Sequence, residues 1–134
     1  MATSIADVNA NVVRRAFAAL SAKDFETLAR LLHREVAWYT PGRSAFAGET
    51  LGPGAVVAQF TKYLESTHGT FRSSLRQVLQ SEDGRVVAVH QDTAARNEKH
   101  LNAGGCTVFD FEDGLILEGR EHFHDLYHWD GFWS

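Results

Sequence analysis

The hydrophobic spacing of this chain changes period at Phe71, and that change restricts the fold more than any other feature. Before Phe71, apolar residues recur at helical spacing. Val8, Val12, Val13, Ala16, Phe17 and Leu20 fall on one helix face, which ends near Ala22. Ser4 and Asp7 ahead of it have the S-x-x-D spacing of an N-terminal cap. Asp24 caps a shorter helix whose apolar face is Phe25, Leu28, Leu31 and Leu32. Val36–Thr40 reads as a short strand stopped by Pro41-Gly42, and Arg43–Gly52 as a loop containing Phe46. Gly52-Pro53 opens a third helix with Val56, Val57, Phe60, Tyr63 and Leu64 on its apolar face, stopping near His68-Gly69.

Beyond Phe71 the period becomes two. Phe71, Ser73, Leu75, Gln77 and Leu79 alternate with polar residues up to the turn Glu82-Asp83-Gly84. Val86–Arg96 is a long strand with a hairpin turn at Asn97-Glu98. His100–Phe111 follows, with a bulge or sharp bend expected at Gly104-Gly105. After Glu112-Asp113-Gly114, Leu115–Leu126 is the last strand, and Tyr127, Trp129, Phe132 and Trp133 are expected to pack back on the domain. Three helices followed by four sequential antiparallel strands predict an α+β domain. A strongly curved sheet wrapped around a long helix leaves a cone, a natural place for a small apolar ligand.

At 134 residues with 44% hydrophobic content, residues 1–134 are read as a single domain large enough for a packed core. The net charge of −4, with no clustered Lys and Arg, argues against a nucleic-acid partner. One cysteine, Cys106, cannot form an intrachain disulfide and fits a reducing compartment. Met1–Ala10 shows neither a basic nor an apolar leader segment, and no window reaches transmembrane length. The expectation is a cytoplasmic protein without a membrane partner.

Ionisable residues gather on two strands. His90 and Asp92 sit at i and i+2, hence on one strand face, where a carboxylate can orient an imidazole and raise its basicity. Alternation leaves open which face is inner: Val87, Val89 and Gln91, or Ala88, His90 and Asp92. On the last strand, Glu121, Phe123 and Asp125 form one face and Arg120, His122 and His124 the other. Asp125 stands where it can instead cap the following turn. His122 and His124, with His128, could meet on a metal, but no third ligand at fixed spacing appears, and polar surface or interface histidines are the favoured reading. Trp38 and Thr40 share a face, and Trp38 can either stack on a flat ligand or serve as core. Phe60 and Tyr63 read first as core.

The element order, the strand end Ala37-Trp38-Tyr39-Thr40-Pro41-Gly42, the loop Phe46-Ala47-Gly48 and the helix start Gly52-Pro53-Gly54-Ala55-Val56 resemble the NTF2-like superfamily. The hairpin Phe111–Ile116 and the tail Asp130-Gly131-Phe132-Trp133-Ser134 are similar too. Within the superfamily the chain looks most like its SnoaL-like and ketosteroid-isomerase-like members. The resemblance implies the cone-like fold and a homodimer packed through the outer sheet face. It does not imply one reaction, because the superfamily hosts isomerases, cyclases, hydrolases and pure association modules.

Matched position by position, the steroid isomerase pattern fails. Thr40 stands where its base belongs, Ala16 and Thr107 where its oxyanion donors belong, so steroid isomerisation is rejected. The limonene epoxide hydrolase pattern matches better, placing His90, Asp92 and Glu121 in the cavity, although its arginine is missing. The resemblance thus implies a cofactor-independent acid/base enzyme (hydrolase, isomerase or cyclase type) on a small hydrophobic molecule. Asp92 would be the base, His90 its partner or acid, and Glu121 a second carboxylate. Trp38, Thr40, Phe60, Tyr63, Thr107, Phe123 and Asp125 would contact the substrate. The competing expectation is a non-catalytic ligand-binding or association module of the same fold.

Overall fold

Both expected helix caps form in the computed structural model, which describes residues 4–134. Residues 1–3, the start of the stretch read as lacking a leader, lie outside the described residues. Asp7 N donates to Ser4 Oγ at 3.1 Å and the chain enters α1 (Ile5–Ser21). Thr27 N donates to Asp24 Oδ1 at 3.1 Å and starts α2 (Phe25–Leu31). No loop follows. Leu32, assigned by spacing to the helix face, is already extended and opens β1 (Leu32–Thr40). Pairing of its backbone with Ile116 of a later strand captures it there.

The segment expected to be a loop contains β2 (Gly48–Leu51), antiparallel to β1 from Ala37↔Leu51 to Thr40↔Gly48. Four largely exposed residues are too few to show a hydrophobic alternation, so the sequence carried no strand signal. Next come α3 (Pro53–Ser66), β3 (Arg72–Gln80), β4 (Val86–Arg96), β5 (Lys99–Glu112) and β6 (Leu115–Phe123). Asn97 and Glu98 both adopt positive φ, as do Asp113 and Gly114, which suits tight hairpins between twisted strands. The last strand stops at Phe123. Asp125 then caps α4 (Leu126–Trp133), a fourth helix, by accepting from His128 N at 3.1 Å. Trp129, Phe132 and Trp133 pack inward, but Tyr127 stays in solvent.

The sheet order is β2-β1-β6-β5-β4-β3, with β1 and β6 parallel and every other pair antiparallel. The expected strong curvature is not observed: this is an open mixed sheet that does not curl strongly. Curling a sheet needs bulges or glycine kinks in its middle. Gly104 and Gly105 supply neither, since β4 and β5 pair without a register shift from Val86↔Phe109 to Arg96↔Lys99. Gly105 instead permits a close approach, for a Cβ there would lie 2.3 Å from the His122 carbonyl oxygen. The shift in β3 falls at Arg76, between the pairs Leu75↔His90 and Gln77↔Val89. Alternation inverts past that point, so Val78 packs inward while Leu79, expected inside, is exposed. α1 and α3 cover the inner face over a core that includes Val13, Tyr63, Phe109 and Trp129. Among the described residues no helix is long and apolar enough to cross a membrane.

Candidate active site on the inner sheet face

The unbroken β4–β5 pairing sets which side chains meet. Along β4, Val86, Ala88, His90, Asp92 and Ala94 turn inward. His90 and Asp92 retain only 3% and 1% of their accessible surface. Register places Ser73 of β3 opposite Asp92, and Thr107 of β5 opposite Glu121 of β6. Trp38 of β1 lies opposite Gly119, two residues before Glu121. One sheet face therefore carries a row of polar side chains that crosses five strands, β3, β4, β5, β6 and β1.

At one end of the row, Asp92 Oδ1 accepts from Ser73 Oγ at 2.5 Å and lies 2.9 Å from His90 Nδ1. The other imidazole nitrogen, Nε2, is 2.9 Å from Thr107 Oγ1. Burial alone would push the imidazolium toward losing its proton. The hydrogen bond and negative charge of Asp92, with the more distant charge of Glu121, outweigh that and hold the His90 pKa above its ordinary 6.5. The ring sits 5.6 Å from that of Phe17 on α1.

At the other end, Glu121 Oε1 accepts from Trp38 Nε1 at 2.9 Å and from Thr40 Oγ1 at 3.0 Å. Gln59 on α3 continues the network, donating to Thr40 Oγ1 and Tyr63 OH at 2.9 Å each. Gly119 makes this geometry possible. A Cβ there would stand 2.3 Å from the Trp38 ring, so only glycine lets the indole lie across β6 and reach Glu121. Burial, then repulsion from Asp92, pushes the Glu121 carboxyl up from 4.5 to about 7, more than the Trp38 and Thr40 bonds lower it. Among the described residues no hydrogen bond reaches Oε2.

Between this row and helices α1 and α3 lies a cavity of about 40 Å³, with Phe17, Trp38, Phe60, His90, Thr107 and Glu121 in its walls. That is room for a few waters and well short of the roughly 150 Å³ that takes up benzene. A ligand of that size enters only if wall side chains move.

Tyr63 is fully buried and bonded to Gln59 inside an aromatic cluster with Phe46 and Trp133, not at the cavity wall. Phe123 stacks on Trp129, with ring centroids 3.9 Å apart, and presents an edge to His90 at 6.3 Å. Asp125, expected to touch substrate, is exposed and serves as the cap of α4, because β6 ends before it. His122 and His124 face solvent, whereas His128 Nε2 accepts from Asn102 N at 3.0 Å. Among the described residues no three His, Cys, Asp or Glu side chains converge on a metal position.

Three participants were not singled out from the sequence. Ser73 and Gln59 had a usable signal, each being polar on an otherwise apolar face, between Phe71 and Leu75 or between Val56 and Tyr63. Gly119 had none, since its role depends on a residue 81 positions earlier in the chain.

An open mixed sheet covered by helices on one face is a fold shared with NTF2-like proteins. An NTF2-like protein from Burkholderia xenovorans LB400 superposes with a TM-score of 0.80 at 19% identity, covering 95% of this chain and 96% of that one. A putative polyketide cyclase from Xanthomonas campestris pv. campestris also shares the fold, with a TM-score of 0.72, 19% identity and coverage of 98% and 100%. More narrowly, residues 13–119 match the SnoaL-like domain, and the chain belongs to that family. An uncharacterised protein of Mycobacterium tuberculosis H37Rv is 30% identical over 96% of this chain and 98% of its own length. The structure of Bal32a, from a soil-derived mobile gene cassette, is 47% identical with a TM-score of 0.96, covering 98% of this chain and all of that one.

Proposed function

We propose that the cavity binds a small hydrophobic organic molecule and that Glu121 exchanges a proton with it near neutral pH. The observation carrying this reading is the position of the Glu121 carboxyl. Its Oε1 is held by two donors, its Oε2 is left free at an apolar cavity, and its pKa of about 7 leaves it divided between acid and base at neutral pH. In this reading Asp92 orients His90 and keeps it charged, its Oδ1 being engaged by Ser73 and the imidazole. The Thr107 hydroxyl, which can donate or accept, links His90 Nε2 to the cavity. The reaction class is cofactor-independent acid/base chemistry: water addition, isomerisation or cyclisation. The small volume favours a second reading, a ligand-binding or association module that uses the same hollow without turnover.

The test is a panel of small terpenoid and aromatic epoxides, enones and alcohols. Binding is read from carboxyl carbon shifts of labelled glutamate and turnover by mass spectrometry. Glu121→Gln is expected to keep binding and to lose turnover by about 10²- to 10⁴-fold. Binding without turnover by the unaltered protein supports the module. A Glu121 carboxyl that titrates as an ordinary glutamate and ignores every compound sinks both readings.

A further inference from the structure

A second hollow adjoins the first. Leu20, Phe71 and Ser73 line both, so these three side chains form the partition between them. The outer chamber, about 170 Å³, lies where α1 ends, where the turn after α3 passes Gly69, and where β3 begins. Its wall differs in kind from that of the inner cavity. It carries Lys23 and Arg72, with the hydroxyls of Ser21 and Ser74, and no carboxylate.

Among the described residues neither the Lys23 ammonium nor the Arg72 guanidinium has an ion-pair or side-chain hydrogen-bond partner. The ammonium leans over Gly69, 3.5 Å from where a Cβ would stand. The nearest acid in sequence, Asp24, is turned to Thr27, whose backbone N–H and hydroxyl it accepts. Two helix C-termini, those of α1 and α3, end at this chamber, and each contributes roughly half a negative charge. Two full positive charges exceed that sum, and the chamber is electropositive.

From this arrangement we propose that the ligand is an amphiphilic anion. Its apolar body occupies the inner cavity, with Leu20, Phe71 and other wall side chains displaced to admit it, and its carboxylate, or another anionic group of similar size, rests between Lys23 and Arg72. The inference rests on the proposed binding function and names the chemical class of the molecule. It also orients that molecule: the anionic end stays outward and the reactive carbon skeleton lies beside Glu121. Such orientation leaves the two chemistries separate, since a carboxylate placed next to Glu121 and Asp92 would meet two like charges in a buried setting.

The experiment compares 4-phenylbutyrate with 4-phenylbutanol, the same apolar body with and without the charge, on the full chain. Affinities come from titration calorimetry at low and high salt. The expected result is a preference of about tenfold for the carboxylate at low salt, shrinking as ionic strength rises because the cations are exposed. In the double variant Lys23→Ala/Arg72→Ala the two affinities converge. Arg14→Ala, which removes an exposed cation elsewhere on α1, retains the preference. Equal affinities in the unaltered protein, or a preference that survives the double variant, overturn the anion inference and leave the binding function standing. Failure of both probes, while any compound of the epoxide, enone and alcohol panel binds, overturns the anion inference alone; failure of the probes and of the whole panel overturns the two together.

Discussion

The two ends of the buried polar row solve the same problem in opposite ways. At the β3–β4 end a carboxylate, Asp92, meets an imidazole 2.9 Å away and favours its protonated form. At the β6–β1 end another carboxyl, Glu121, meets only neutral donors, an indole and a hydroxyl. Both are buried on the same sheet face. Burial works against the charged form of both His90 and Glu121, and the partner decides whether that is offset: Asp92 outweighs it for the imidazole, whereas the indole and hydroxyl do not outweigh it for the carboxyl. Two like charges in one row would repel, which is a further reason why Glu121 keeps its proton so high on the pH scale.

The contrast is broken most severely by Asp92→Asn. Removing one member of a buried pair costs about 4 kcal/mol. His90, left with burial as the main influence, is expected to fall below its ordinary pKa. Urea unfolding and imidazole nitrogen shifts against pH check both effects.

Next in size is the pH dependence of stability. Between 4.5 and about 7 the native Glu121 keeps a proton that the unfolded chain has released. Stability therefore falls as pH rises across that window, by about 3 kcal/mol. His90 acts in the same direction, since its raised pKa contributes stability below 6.5 that is lost as pH rises through the folded value. Glu121→Gln is expected to remove the larger part of the slope and leave the part from His90, as read from unfolding curves at pH 5 and pH 8.

Gly119→Ala sharpens the comparison from the packing side. The added methyl overlaps the Trp38 ring, which must shift at a cost of about 2 kcal/mol. The Trp38 bond to Glu121 is strained or lost, and the carboxyl pKa rises further; tryptophan fluorescence and the glutamate carbon titration report each change. The smallest effect is expected at His122→Ala/His124→Ala, exposed positions at the end of β6. Stability should change by less than about 0.5 kcal/mol. Zinc content of untagged protein should match that of the unaltered chain.

Much of this arrangement was legible before the structure, and the gaps have identifiable causes. Helical spacing located α1 and α3 because amphipathic helices advertise their buried stripe every turn. Alternation located β4 and showed that His90 and Asp92 share a face, yet could not say which face was inner. On β3 the extra residue at Arg76 moved Val78 inside and Leu79 out, and nothing local marks such a bulge. β2 was missed for want of length, and α4 was read only as aromatics packing back on the domain, because eight residues with four aromatics show no clean stripe.

What the chain alone determined was the inventory: an α+β order of elements, two caps, three turns between consecutive strands, and a His-x-Asp pair on one strand with a glutamate on another. Those follow from interactions between residues a few positions apart, where propensity and spacing act. Only the tertiary structure decided that His90 and Asp92 face inward, that Gly119 yields its place to Trp38, and that Glu121 is hydrogen-bonded by an indole and a hydroxyl. Charge states and close approaches depend on neighbours brought together from distant parts of the chain, and a carboxyl carries no mark in the sequence of who those neighbours will be.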